Sequence, residues 1–359
     1  MMERKMRFIV TATILLGVAM SLSAQTRVEK KVATKSNKFG VNYSLPKTTL
    51  LVNAEVTKVT CKAGPYFRYA ERYLGVKDAI TEDDSSYELG KIVLINKGVP
   101  DPENSYIVEF RPGTTAPYVY LTEDGLLCAI NADYVSPDAN TETDNGALPA
   151  NARETAVFTE ELLMAGSVAR QAEVAAKQIY HIRESRMDIL TGDADNLPPD
   201  GQAMKLVIEQ LENQEKALTN LFVGTRVTET SYYDVTITPQ DDFEDEVLFR
   251  FSKKMGVLDA DDLGGEPVYM NLKATERAPE LTPKEAEKKE KSLKGLIYNL
   301  PGKARVEIKF NQHVFFKGEV QVTQFGTQEG LAPVMFEDRK TPVKVYFYPE
   351  TGAIKQIIQ

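Results

Sequence analysis

His181 and His313 are the only two histidines in the chain, and Cys61 and Cys128 are its only two cysteines. A nucleophilic triad needs a histidine base beside a serine or cysteine, and neither histidine lies in a motif such as G-x-S-x-G. A multi-histidine or cysteine-rich metal centre cannot be assembled from this inventory within one chain. Carboxylates are abundant. Asp259, Asp261, Asp262 and Gly264 match the opening of an EF-hand loop, as do Asp193 and Asp195. The twelfth position of each loop, where calcium needs a bidentate carboxylate, holds Met270 or Met204. These segments read as solvated turns, and no catalytic residue, cofactor or metal ligand is assigned. Paired carboxylates for glycoside cleavage leave no spacing signature, because such residues meet only in the fold.

One stretch has the spacing of a binding face. In Pro65-Tyr66-Phe67-Arg68-Tyr69-Ala70-Glu71-Arg72-Tyr73-Leu74, three tyrosines step by three and four and so share one side of a helix. Arg68, Glu71 and Arg72 project elsewhere, and Gly75 stands where a left-handed cap would close the helix. The preferred reading is an amphipathic helix that lays its tyrosines on a neighbouring sheet. The competing reading makes Tyr66, Arg68, Tyr69, Arg72 and Tyr73 a ligand or partner face, an aromatic and arginine-lined groove for a peptide or glycan. The absence of tryptophan weakens a sugar-stacking platform without removing it, since tyrosine also stacks.

The N-terminus has the form of a secretory leader. Arg4, Lys5 and Arg7 precede an apolar run of about 15 residues, Phe8 to Leu22, and Ser23-Ala24-Gln25 supplies a small-residue cleavage site after Ala24. A membrane span needs about 20 apolar residues, so an uncleaved anchor is the weaker reading. The first cysteine is Cys61, which argues against a lipid-anchored form, and the expected location is periplasmic or extracellular. The formal net charge is −9, and loss of the leader removes three cations and one anion. An acidic chain without a basic stripe has no electrostatic drive toward nucleic acid. Lys284 to Lys294, the richest basic stretch, is interleaved with Glu285, Glu287 and Glu290 and reads as a solvated helix face or linker. Cys61 and Cys128 could pair in an oxidising compartment or sit as small buried hydrophobes; spacing alone does not place them within bridging range.

The elements that would position these residues fall into blocks. Residues 25–135 alternate apolar and polar side chains, as in Thr49 to Cys61, and predict a β-rich domain with one short helix. Glu123-Asp124-Gly125 predicts a tight hairpin. Residues 136–153 are polar and read as a linker. Within 154–224 the period changes. Ala165, Val168, Ala172, Ala175, Ile179, Ile182 and Ile189 step by three and four, broken once by Arg186. Met204, Val207, Leu211, Leu218 and Leu221 repeat that stepping with Gln214 inside it. The expectation is a coiled-coil-like helical hairpin with arms of about 30 and 20 residues, roughly 45 and 30 Å long at 1.5 Å per residue. Residues 225–359 return to strands. There Gly295-Leu296-Ile297-Tyr298-Asn299-Leu300-Pro301 repeats the glycine, tyrosine, leucine and proline of Gly40-Val41-Asn42-Tyr43-Ser44-Leu45-Pro46, a weak internal duplication.

At Gly40 to Pro46, Ala63 to Gly75, Pro112 to Pro117, Leu121 to Leu126 and Leu190 to Asp193, the chain resembles a family of exported Bacteroides-group proteins, the domain of unknown function 4831. That resemblance implies export and supplies no activity, substrate or catalytic residue. The fold expected is α+β, two β-rich units joined through a long antiparallel helical hairpin. The function expected is a non-enzymatic interaction or structural module of the envelope, with an envelope protein partner through the hairpin. The alternative is a protein that binds or hydrolyses glycan or peptide. Oligomeric state stays open. N-terminal sequencing of the protein recovered from its native envelope should begin at Gln25; a retained Met1 would overturn cleavage.

Overall fold

A computed structural model describes residues 27–30, 40–109, 119–134, 159–193, 201–332, 335 and 343–358. Its backbone is mainly β. The first sheet is built on two long antiparallel strands, β2 (Gly40–Lys62) and β3 (Asp84–Glu109). It is flanked by β1 (Arg27–Lys30) beside β3 and β6 (Thr225–Ile237) beside β2, in the order β1-β3-β2-β6. The second sheet has the order β11-β10-β9-β7-β8, from β7 (Phe243–Ser252), β8 (Gly256–Leu258), β9 (Glu266–Glu276), β10 (Leu296–Phe310) and β11 (His313–Leu331). The third, β13-β12-β5-β4, joins β4 (Val119–Leu121) and β5 (Leu127–Ile130) to β12 (Lys344–Phe347) and β13 (Ile354–Ile358). All ladders among the named strands are antiparallel.

The alternation of β2 explains its place. Leu50, Val52, Ala54 and Val56 are buried while Leu51, Asn53, Glu55 and Thr57 are half-exposed, so one face of the first sheet packs on Phe249, Val268, Met270, Leu272, Val306 and Ile308 of the second. The same long strands serve another core at their other ends. Tyr43, Leu45, Tyr106 and Val108 meet Leu296 and Ile297 of β10 and Leu127, Ile130, Val345 and Phe347 of the third sheet. The ladders shift register where one core gives way to the other, between Ser44 and Pro46 in β2 and between Leu300 and Gly302 in β10. Pro46 and Pro301 lie at these breaks, where a residue without an N–H is tolerated.

Five helices complete the described residues: α1 (Ala70–Leu74), α2 (Glu160–Met164), α3 (Val168–Thr191), α4 (Gly201–Val223) and α5 (Pro283–Ser292). Ala172, Ala175, Ala176, Ile179, Leu218 and Phe222 form the heart of a third, smaller core between α3, α4 and the α1 segment.

These sheets overturn the expected α+β arrangement of two β-rich units joined through a long helical hairpin. The protein is mainly β, and two of its three sheets mix strands from both expected units: β6 pairs with β2, and β12 pairs with β5. The expected first arm is also interrupted, because Ala165 is extended and Ser167 caps a new helix by accepting from the Arg170 N–H. After β3 the chain adds β4 and β5 to the third sheet, passes through the helices and returns to the first sheet as β6, so the helices are a side layer and not a bridge. Alternation reports which face of a strand is buried and carries no information about its partner. The likeness of Gly40–Pro46 to Gly295–Pro301 therefore belongs to two hairpins, β2–β3 of the first sheet and β10–β11 of the second, that meet in one core. The expected linker, 136–153, and Pro112 to Pro117 lie outside the described residues.

Where these hairpins meet, the two segments bond alike. The Ser44 N–H donates to the Gly125 carbonyl at 3.0 Å, and the Asn299 N–H donates to the Gly352 carbonyl at 3.1 Å. Gly125 and Gly352 have φ of 83° and 68°, a conformation that favours glycine. Between them the buried Tyr43 hydroxyl accepts from the Ile297 N–H at 3.0 Å and donates to the Ile297 carbonyl at 3.1 Å. Burial holds the Tyr43 phenol protonated far above its ordinary range. Tyr43→Phe should cost about 1–3 kcal/mol, because it leaves two buried backbone groups without this partner. Urea unfolding measures it, with Tyr298→Phe as the exposed-hydroxyl control expected to change little.

Candidate functional site

The tyrosine segment begins with a close approach: a Cβ on Gly64 would overlap the Leu221 carbonyl, so only glycine lets the chain lie against the end of α4. The Tyr66 N–H donates to that same carbonyl at 2.8 Å. A 3₁₀ turn, Phe67–Tyr69, leads into α1, and Gly75 closes it at φ 71° with its N–H on the Ala70 and Glu71 carbonyls. Tyr66 is buried, edge-on to Phe222 with ring centroids 5.4 Å apart. Tyr69 and Tyr73 are half-buried, 6.1 Å apart, and pack on the helical core. The Tyr180 hydroxyl of α3 donates to the Tyr73 carbonyl at 2.6 Å. Arg68 and Arg72 are exposed, with guanidinium carbons 5.6 Å from the Phe67 ring and 5.5 Å from the Tyr73 ring. The structure thus brings the three tyrosines onto one face and turns that face toward α3 and α4, while the two arginines stay in solvent.

The other residues singled out from the sequence are dispersed. His181 is exposed beside a cavity of about 200 Å³ that it shares with Gln178, Gln214 and Leu218, and His313 lies edge-on to Phe315 at 4.7 Å. In the Asp259 loop, the Asp262 carboxylate accepts from the Gly264 N–H, while Arg250 binds the Ala260 and Gly265 carbonyls. No three histidine, cysteine, aspartate or glutamate side chains converge on a metal position among the described residues. Cys61 and Cys128 are both free thiols; burial pushes the Cys128 thiol up to about 11.

A cleft of about 380 Å³ opens where α5 lies over the two hairpins. The Glu285 carboxylate accepts from both the N–H and the hydroxyl of Thr282, fixing the start of α5 next to Pro283. These two bonds hold the Glu285 carboxyl below its usual range. Lys289 then reaches Thr327 of β11. On the floor, the Thr48 N–H is shared by Thr323 Oγ1 at 2.9 Å and Gln324 Oε1 at 3.1 Å, and Gln324 Nε2 donates to the Thr48 carbonyl at 2.8 Å. The Tyr106 hydroxyl donates to Gln328 Oε1 at 3.0 Å. Burial, with Glu290 and Asp101 nearby, pushes that phenol up to about 12, so it remains a neutral donor. The arrangement offers hydrogen-bonding amides and hydroxyls beside the charged Lys47, Asp101, Lys289 and Glu290. Sequence reasoning missed it because its walls come from residues near 46, 103, 288 and 325. The prolines inside two apolar runs were the available signal.

A further surface lies on α3 and α4. Arg183 Nε meets Glu215 at 2.6 Å, and Arg186 meets Glu215 at 2.9 Å and Glu212 at 3.7 Å, which fixes their antiparallel register. Beyond these pairs Met187, Leu190 and Leu206 are exposed at 60%, 61% and 57%. No described helix is long and apolar enough to cross a membrane. Tyr66→Ala should cost about 3 kcal/mol of stability, the loss expected for a packed aromatic ring. Arg72→Ala should stay within about 0.5 kcal/mol. Urea unfolding of both distinguishes a packing face from a surface held open for a ligand, which would reverse that order.

No curated protein and no solved structure matches the chain. Residues 39–355 match the model of one family, the domain of unknown function DUF4831, so nearly all of the architecture above lies within the match and the chain belongs to that family.

Proposed function

We propose that this chain is an exported protein of the cell envelope that acts through non-enzymatic contact with another protein. The basic and apolar leader with its small-residue cleavage site supports export, as does the resemblance to exported Bacteroides-group proteins. The observation that carries the contact reading is the apolar surface at the far ends of α3 and α4. Met187, Leu190, Leu206 and Val207 are left in water there, whereas toward the other ends of the same helices Ala172, Val174, Ala175, Ile179, Leu218 and Phe222 are buried, with Val168 exposed at the start of α3. Exposed apolar side chains gathered on one element mark sites where a partner removes them from water.

A second reading, a glycan- or peptide-binding protein, rests on the cleft beneath α5, where neutral hydroxyls and amides converge. It would leave the α3 and α4 surface without a role.

The test is affinity capture of the tagged chain from its native envelope with mass spectrometry, comparing the parent with a Leu190→Ser, Leu206→Ser double variant. Both sites are exposed, so thermal unfolding should be unchanged within about 0.5 kcal/mol. A partner recovered by the parent and depleted about tenfold by the variant is the expected result; identical recovery by both would refute the contact reading.

A further inference from the structure

The two long margins of the first sheet differ in kind. β3 carries Lys91, Lys97 and Pro100, and a bulge opposes Gly90 and Lys91 to Glu55. Lysine, proline and bulges are the devices that blunt a strand edge against further pairing. β6 has none of them. It runs from Thr225 to Ile237 without proline, lysine or a register shift, paired with β2 from Lys62 to Leu50, and it is the last strand of its sheet among the described residues. Arg226 to Tyr232 are all exposed, including Val227 at 45% and Tyr232 at 67%.

The sequence of this edge is complementary to itself. Antiparallel pairing of two copies about Thr230 sets Arg226 opposite Asp234, Val227 opposite Tyr233, Thr228 opposite Tyr232 and Glu229 opposite Ser231. Every partner has the same parity, so each pair meets on one face of the joined sheet. The twofold axis generates the Arg226–Asp234 pair twice. Arg226 has no acidic partner among the described residues, while Asp234 accepts only from the neutral amide of Asn53 at 2.6 Å. Opposed charges and aromatic pairs with β-branched residues are the cross-strand contacts that stabilise antiparallel ladders. The unpaired backbone groups of each β6 would at the same time gain their missing partners.

We infer that β6 is a self-association edge, on which a second copy of this chain adds its own β6 antiparallel about Thr230 and continues the four-stranded sheet across the two molecules. This surface is separate from the far ends of α3 and α4, so either assignment fails without the other.

The experiment is sedimentation velocity of the whole chain, combined with cysteine mapping in a Cys61→Ser background. A concentration-dependent dimer is expected. Arg226→Asp should weaken it about tenfold, since it turns two attractions into two repulsions, and adding Asp234→Arg should restore it. Thr230→Lys, at an exposed position, should weaken it independently by placing two cations on the axis. Residues directly opposite in an antiparallel pair have Cα atoms about 4.5–5.5 Å apart, within disulfide range. Thr230→Cys should therefore give a covalent dimer under mild oxidation, and Thr228→Cys and Thr236→Cys should not. A monomer at every concentration overturns the inference, as does a dimer indifferent to the charge exchange or linked equally well at all three positions. A strand from another protein captured on β6 while the chain itself stays monomeric also overturns it.

Discussion

The bond exchange between the Tyr43 hydroxyl and the Ile297 backbone sits where two long hairpins cross, and the placement of everything else follows from that crossing. A buried N–H and a buried carbonyl must find partners or pay the cost of desolvation. Here one phenol satisfies both, and burial keeps it protonated so that it can donate as well as accept. Slipping either strand by one residue would remove this match and turn Leu50, Val52 and Ala54 away from their core. Asn299 makes the arrangement stricter: its Nδ2 donates to the carbonyls of Pro46 and Thr351, each at 3.0 Å, from a buried position. Polar groups thus specify the crossing, while the apolar cores on either side supply the driving force.

From that constraint the cleft is a geometric consequence. Ladder breaks beside Pro46 and Pro301 turn the strands from one core toward the other, and the turn leaves Thr323 and Gln324, bonded to the buried Thr48 beneath them, facing a gap that α5 only partly covers. Just past β9, Arg277 does related work. Its guanidinium lies 4.1 Å from the Phe325 ring centroid while its nitrogens bind Asp241 and Asp242 at 2.7 and 3.0 Å. One residue therefore covers the rim of the core and anchors the acidic turn before β7.

What the sequence revealed and what it concealed divide along a physical line. Local chemistry was readable: the stepping of Tyr66, Tyr69 and Tyr73 places them on one face, and Gly75 adopts the left-handed conformation its position required. Alternation in Thr49 to Cys61 marked a strand with one buried face, which β2 has. Pairing was not readable. Nothing in the composition of Thr225–Ile237 says that it returns to β2 across more than 160 residues, and treating sequence blocks as spatial units produced the wrong architecture. The cleft was hidden for the same reason, since Lys47, Asp101, Lys289 and Gln324 have no common pattern until the hairpins cross. Arg186 and Gln214 looked like flaws in an apolar stripe. In the fold, Arg186 joins Glu212 and Glu215 across the helix pair, and Gln214 lines a small cavity with His181.

The three cores also separate specification from exposure. The two sheet cores hold most of the large buried side chains, whereas the helical core depends on alanines and a few larger residues near the start of α3 and the end of α4. Alanine allows close approach of the helices but buries little area, so the helix pair depends on Tyr66 and Phe222 to tie it to the segment that follows β2. Beyond Ile179 and before Ala217 the contact passes to ion pairs, which set register more than they add stability. Apolar residues past that point contribute little to the fold that holds them. Their retention in water is therefore better explained by what they meet outside the chain than by what they support within it, because the sheets would keep their crossing without them.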